Sequence, residues 1–129
     1  WGGRNAPFLG TGGIYDPGNI VVEGCEDWRI GTQVLGPYLA HVHAKNTCWS
    51  WTNLDWQEHP TDREHWQWQF TPLDRGIVQW PDVIAALRMA NYQGWISLED
   101  FSTRPILEKL ADGHRCLSAW IQPAPTAPQ

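Results

Sequence analysis

The chain predicts an α/β fold in which about three parallel strands are covered by helices. Three observations carry this reading. Short apolar runs with strand character occur at Gly13-Ile14-Tyr15-Asp16, Tyr38-Leu39-Ala40-His41-Val42-His43 and Trp95-Ile96-Ser97-Leu98-Glu99. Each run leads through a loop into a stretch with helical apolar spacing, and strands alternating with helices imply parallel pairing. Each run also ends on a residue with chemical capacity: Asp16, His43 and Glu99. In a parallel βα array the strand C-termini open onto one face, where sites are built. Two carboxylates and an imidazole brought together there suit a divalent metal or acid/base chemistry.

Residues 1–12 are Gly-rich and aperiodic and read as a lead-in. The glycines at 10, 12 and 13 precede a strand, whereas phosphate loops follow one and open a helix, so no phosphate site is assigned to them. Asp16-Pro17-Gly18-Asn19 has the composition of a tight turn that leaves Asp16 at the rim. A helix is expected over about 26–35, with Trp28, Ile30, Val34 and Leu35 as its apolar positions and Gly36-Pro37 as its stop. In the second strand Leu39, His41, His43 and Lys45 share one face, and Ala40, Val42 and Ala44 share the face toward the helices. His43, nearer the strand end, is the better ligand, and His41 the better supporting or substrate-facing histidine.

Residues 46–73 read as a long loop carrying Trp49, Trp51, Trp56, Trp66 and Trp68, a length more typical of functional lids than of plain connections. Tryptophan faces stack on sugar C–H surfaces and exclude water, which makes Trp49 and Trp51 candidate substrate contacts. The alternative is that these rings pack the loop onto the rest of the domain or a neighbouring subunit. His59 and His65 match no strong metal spacing. Further helices are expected over 80–88, opened by Trp80-Pro81, and over about 105–120, with Ile106, Leu107, Leu110 and Leu117 on the buried stripe. Trp95, Ser97 and Glu99 share a face of the third strand.

The bulk properties narrow the function. A length of 129 residues suits one modest domain, expected over 1–122, followed by a disordered Pro-rich tail over 123–129. A net charge of −5 supplies no basic face for nucleic acid. No run is long enough to span a bilayer, and no membrane partner is expected. Cys25, Cys48 and Cys116 are odd in number and lack CxxC spacing, which favours free packing thiols in a reducing, cytoplasmic setting. Cys48, close to His43, is the one cysteine for which a ligand role is conceivable.

Four segments in order, Tyr15-Asp16-Pro17-Gly18-Asn19, His41-Val42-His43-Ala44-Lys45-Asn46, 72–80 and 92–100, resemble the C-terminal half of a sugar phosphate isomerase/epimerase. That family has the xylose-isomerase-like TIM-barrel fold, so the resemblance implies a partial (β/α)8 barrel holding strands six to eight. It also implies one divalent ion (Mn, Mg, Co or Zn) held by a glutamate, an aspartate, a histidine and a final glutamate. Asp16, His43 and Glu99 match the last three, and the first would come from an earlier strand. The implied reaction is proton transfer next to a sugar carbonyl through a metal-stabilised enediolate, with Glu99 as ligand and acid/base and Lys45 stabilising the oxyanion. Asn19 stands where many relatives have a histidine, so one metal rather than two is expected, the amide binding a substrate hydroxyl. Arg75 stands where relatives often have a glutamate and is a candidate for a substrate phosphate, or else a solvated loop arginine.

The expected partner is a sugar or sugar phosphate. The chain alone is expected to be inactive and to need its other barrel half or to form a homo-oligomer, because an exposed strand edge invites pairing. Two alternatives stand beside this: a metal-dependent hydrolase or endonuclease on the same scaffold, and a non-catalytic sugar- or partner-binding domain built on the tryptophan segment.

Overall fold

The computed structural model describes residues 12–24, 27–51 and 66–122. Cys25, Trp56, His59, His65, most of the lead-in and the 123–129 tail lie outside the described residues. The elements run β1 (Gly13–Tyr15), α1 (Pro17–Glu23), α2 (Trp28–Leu35), a 3-10 turn (Gly36–Tyr38), β2 (Leu39–Ala44), β3 (Asn46–Trp51), β4 (Trp66–Thr71), α3 (Trp80–Met89), β5 (Trp95–Leu98) and α4 (Ile106–Ile121). Among the described residues β1, β2 and β5 form one parallel sheet in the order β1-β2-β5, and β3 and β4 form a separate antiparallel pair. The parallel sheet with helices between its strands is what the alternation of strands and helices predicts.

Strand β2 organises the sheet. Val42 and Ala44, fully buried, face the helices and meet Tyr15, Leu73, Val78, Trp80, Val83, Ile84, Leu87 and Leu117 in a single core. Its other face carries His41 and His43, paired in register with Trp95 and Ser97 of β5. Helix α3 buries Trp80, Val83, Ile84, Ala86 and Leu87, and α2 packs alongside it. No described helix is long and apolar enough to cross a membrane.

Four expectations are corrected. The Asp16-Pro17-Gly18-Asn19 segment does not form a free-standing turn but opens α1: Asp16 is its N-cap, its Oδ1 accepting from Asn19 N–H at 3.0 Å, and Pro17 takes the first turn. Gly18 is needed for space, because a Cβ there would lie 2.6 Å from Lys45 Cγ. The 46–73 segment is not one long loop, since its two ends pair as β3 and β4, in register from Asn46↔Thr71 to Trp51↔Trp66. Both ends alternate in sequence, and tryptophan and threonine suit a pleated surface, which is the strand signal.

In α2 the buried edge is Gly31 and Thr32, while Val34 and Ile30 are exposed. Thr32 is tolerated inside because its hydroxyl donates to the Trp28 carbonyl at 2.9 Å. In α4 the buried residues are Leu117 and Gly113, the latter pressed against β5 so closely that an added Cβ would collide with Leu98 Cδ2. That close approach fixes the helix's rotation. It leaves Ile106, Leu107 and Leu110 at 70, 80 and 51% exposure, with nothing among the described residues covering them.

Helix α4 begins under an ionic clamp. Arg104 donates to Asp112, which also accepts from Arg115 at 2.8 Å. The hydrogen bond from Arg104 holds the Asp112 carboxyl below the usual carboxylate range. A carboxyl whose folded pKa is depressed stabilises the fold above its unfolded value and loses that contribution as pH falls through the folded one. Asp112→Asn is therefore expected to lower the melting temperature near neutral pH, with the gap to the parent closing as the pH drops below the ordinary value of 3.8. Thermal melts across pH check this, and a gap that persists in acid would assign the loss to packing.

Candidate metal centre

The three strand-end residues meet. Asp16 follows β1, His43 lies on β2, and Glu99 follows β5, where its N–H donates to the Ala44 carbonyl at 2.9 Å and continues the ladder one residue. One ligand atom from each of Asp16, His43 and Glu99 lies within 4.8 Å of the others. His43 Nδ1 is 3.2 Å from Glu99 Oε1 and 3.8 Å from Asp16 Oδ2, so the imidazole edge looks at both carboxylates. All three are partly buried, enough to weaken competition from water while leaving a way in.

Lys45, two residues beyond His43 and on the same face, completes the cluster. Its side chain is 8% exposed and its ammonium lies 2.6 Å from Asp16 Oδ2 and 3.2 Å from Glu99 Oε2. Burial opposes the charge, but the hydrogen bonds and charges of Asp16 and Glu99 outweigh it and raise the Lys45 pKa above its ordinary value. Lys45 is thus an ammonium at neutral pH. Its backbone is fixed as well, because Trp80 Nε1 donates to its carbonyl at 3.1 Å.

His41 is placed as a supporting residue: its Nε2 is 2.8 Å from Ser97 Oγ, and its ring meets that of His43 edge-on at 5.2 Å. Asn19 is exposed beside the cluster and tied to Asp16 through its backbone N–H. Arg75 is not brought in. It is exposed on the loop before α3 and its guanidinium is 3.9 Å from Asp74. Trp49 and Trp51 stand on the β3–β4 pair opposite Trp68 and Trp66, with Trp51 and Trp66 in edge contact at 5.2 Å. Cys48 is a free thiol on that pair, with Gln69 Nε2 3.7 Å from its sulfur, away from any ligand role among the described residues.

Sequence reasoning missed Ser97 as a partner of His41, although its place on the same strand face signalled it. It also missed Phe101, whose ring centroid is 5.6 Å from the Lys45 ammonium and which meets Phe70 at 5.0 Å. Phe70 in turn meets Trp68 at 5.1 Å, so a row of rings links the tryptophan-bearing strands to the cluster. Nothing in the spacing of 70 and 101 announces this contact, which only the tertiary fold makes.

A parallel βα sheet with two carboxylates and an imidazole converging at its strand C-termini defines a partial-barrel domain with a candidate divalent-metal site. The donor set, two carboxylates and one imidazole, fits such an ion. Residues 10–120 match the xylose isomerase-like TIM barrel family, and the chain belongs to it. That family spans isomerases, epimerases and endonucleases and often binds divalent metals. No curated protein matches the chain.

Proposed function

We propose that this chain serves a divalent-metal-dependent sugar or sugar-phosphate isomerase or epimerase, which moves a proton at the carbon next to a carbonyl. The observation that carries the reading is the convergence of Asp16, His43 and Glu99 within 4.8 Å, with the Lys45 ammonium beside them. Asp16, His43 and Glu99 would hold the ion, which when bound supplies a Lewis acid that polarises the carbonyl. Glu99 takes the proton from carbon and returns it, and the electron pair of the broken C–H bond shifts toward the carbonyl oxygen. Lys45 supplies a positive charge beside the ion toward the oxygen on which negative charge develops. The Asn19 amide is positioned to bind a hydroxyl, and Trp49 and Trp51 offer faces to the C–H side of the sugar. Arg75, exposed and apart, takes no part. The formal charge of −5 favours a small substrate over a polyphosphate backbone, which disfavours the endonuclease branch of the family.

The test is solvent-hydrogen exchange. Full-length protein loaded with Mn2+ in heavy water, offered a panel of ketoses, aldoses and their phosphates, is expected to place deuterium next to the carbonyl of at least one of them. Removal of the ion with a chelator should stop the exchange. Exchange with none of the panel, together with cleavage of an abasic duplex, would move the assignment to the endonucleases.

A further inference from the structure

We infer that Lys45 is a built-in competitor for the divalent ion, seated on the carboxylates that would ligate it and setting how tightly this chain holds metal. The inference rests on the reading that Asp16, His43 and Glu99 are the ligands. Lys45 Nζ lies 2.6 Å from Asp16 Oδ2, the same oxygen that faces His43 Nδ1 at 3.8 Å. It also lies 3.2 Å from Glu99 Oε2, while the other oxygen of that carboxylate faces His43 at 3.2 Å. An ion gathering these donors must share Asp16 Oδ2 with the ammonium or displace it, and two cations this close, shielded from water, repel.

The lysine has little freedom to leave. Its carbonyl is anchored by Trp80, and its stem lies along Gly18, where even a methyl group would collide with Cγ. The ammonium also lies over the face of the Phe101 ring, 5.6 Å from its centroid, where a cation is stabilised by the ring's quadrupole. Ion entry therefore sets the ion against an ammonium that keeps its contact with Phe101 and gives up its hold on Asp16 Oδ2 only at a cost. Without an ion, Lys45 keeps two neighbouring carboxylates from repelling each other. With one, it lowers affinity below what the donor set alone would give.

The test is Mn2+ titration, read by calorimetry or by the resonance signal of free Mn2+, on the parent protein and on Lys45→Met, Lys45→Gln and Lys45→Arg. Lys45→Met and Lys45→Gln are expected to bind Mn2+ on the order of 10- to 100-fold more tightly, the range by which groups next to metal ligands tune affinity. Lys45→Arg, which keeps the charge, should bind no more tightly than the parent. In the metal-free state Lys45→Met should melt lower than the parent and gain more in melting temperature from added Mn2+. If the parent binds Mn2+ and the folded Met and Gln variants bind no more tightly, the inference about Lys45 is wrong and the metal site stands. If none of the four proteins binds Mn2+, the metal reading falls and takes this one with it.

Discussion

Glu99→Gln is expected to weaken Mn2+ binding by more than about 100-fold, since changes to groups merely adjacent to ligands already cost up to that much. The substitution keeps the shape of the side chain and removes its charge. Glu99 presents one oxygen to the His43 imidazole and the other to the Lys45 ammonium, so its two oxygens serve different neighbours in the cluster. An amide oxygen still accepts from Lys45, and Glu99 is partly exposed, so the fold should lose no more than about 1 kcal/mol, the scale of a partly screened pair. In the proposed reaction the same change removes the proton acceptor, for which a loss of roughly 10²–10⁴-fold in exchange rate is the usual scale. Calorimetry, the deuterium assay and a melt together separate these effects. Parent-like Mn2+ affinity in Glu99→Gln would remove Glu99 from the ligand set.

Asn46→Ala is expected to destabilise the fold by about 4 kcal/mol or more. Asn46 is 2% exposed and makes four hydrogen bonds. Its Nδ2 donates to the Leu73 and Val78 carbonyls at 2.8 and 3.0 Å, and its Oδ1 accepts from Thr47 and Val78 N–H at 2.9 and 3.0 Å. Each group left unsatisfied in the interior costs about 1–3 kcal/mol, and alanine strands all four. The amide fastens the loop before α3 to the start of β3, and the glycine in that loop is tailored to it. A Cβ on Gly76 would lie 2.1 Å from Asn46 Oδ1 and 2.7 Å from the Thr47 carbonyl. Because α3 starts with Trp80, whose indole holds the Lys45 carbonyl, loosening the loop also loosens the cluster. Denaturant unfolding measures the loss, and a change under about 1 kcal/mol would show that water replaces the amide.

What could be read in advance follows the range of the interactions involved. Asp16, His43 and Glu99 were legible because strand alternation and chain order place them on one face and one edge, whatever the details of packing. His41 and Lys45 followed from the same alternation. Asn46 was not legible as a clamp, because its four partners lie up to 32 residues away and a buried amide has no periodicity. Helix α1 hid inside a proline–glycine turn signature that serves equally well as a capped helix start. The β3–β4 pairing was written in the alternation of Trp49, Trp51, Trp66 and Trp68, but cross-strand register is a non-local choice that a chain of rings alone does not announce. In α4 the apolar spacing points to a buried stripe, but of Ile106, Leu107, Leu110 and Leu117 only Leu117 is buried. Its pattern could not say which part of it Gly113 would press against Leu98.

Strand β2 also works as a ruler. It carries the imidazole of His43, and the ammonium of Lys45 follows one residue past its end, the two about 6.6 Å apart along the backbone. Between them lies Ala44, sealed in the core. Sliding the strand by one residue would turn both groups into the helical layer and expose the core, so the spacing of ligand and competitor cannot drift. Descendants of this chain can retune the site only by exchanging one side chain for another of different reach or charge. Insertions and deletions are closed to them between 39 and 47, and a library aimed at altered metal preference belongs at position 45.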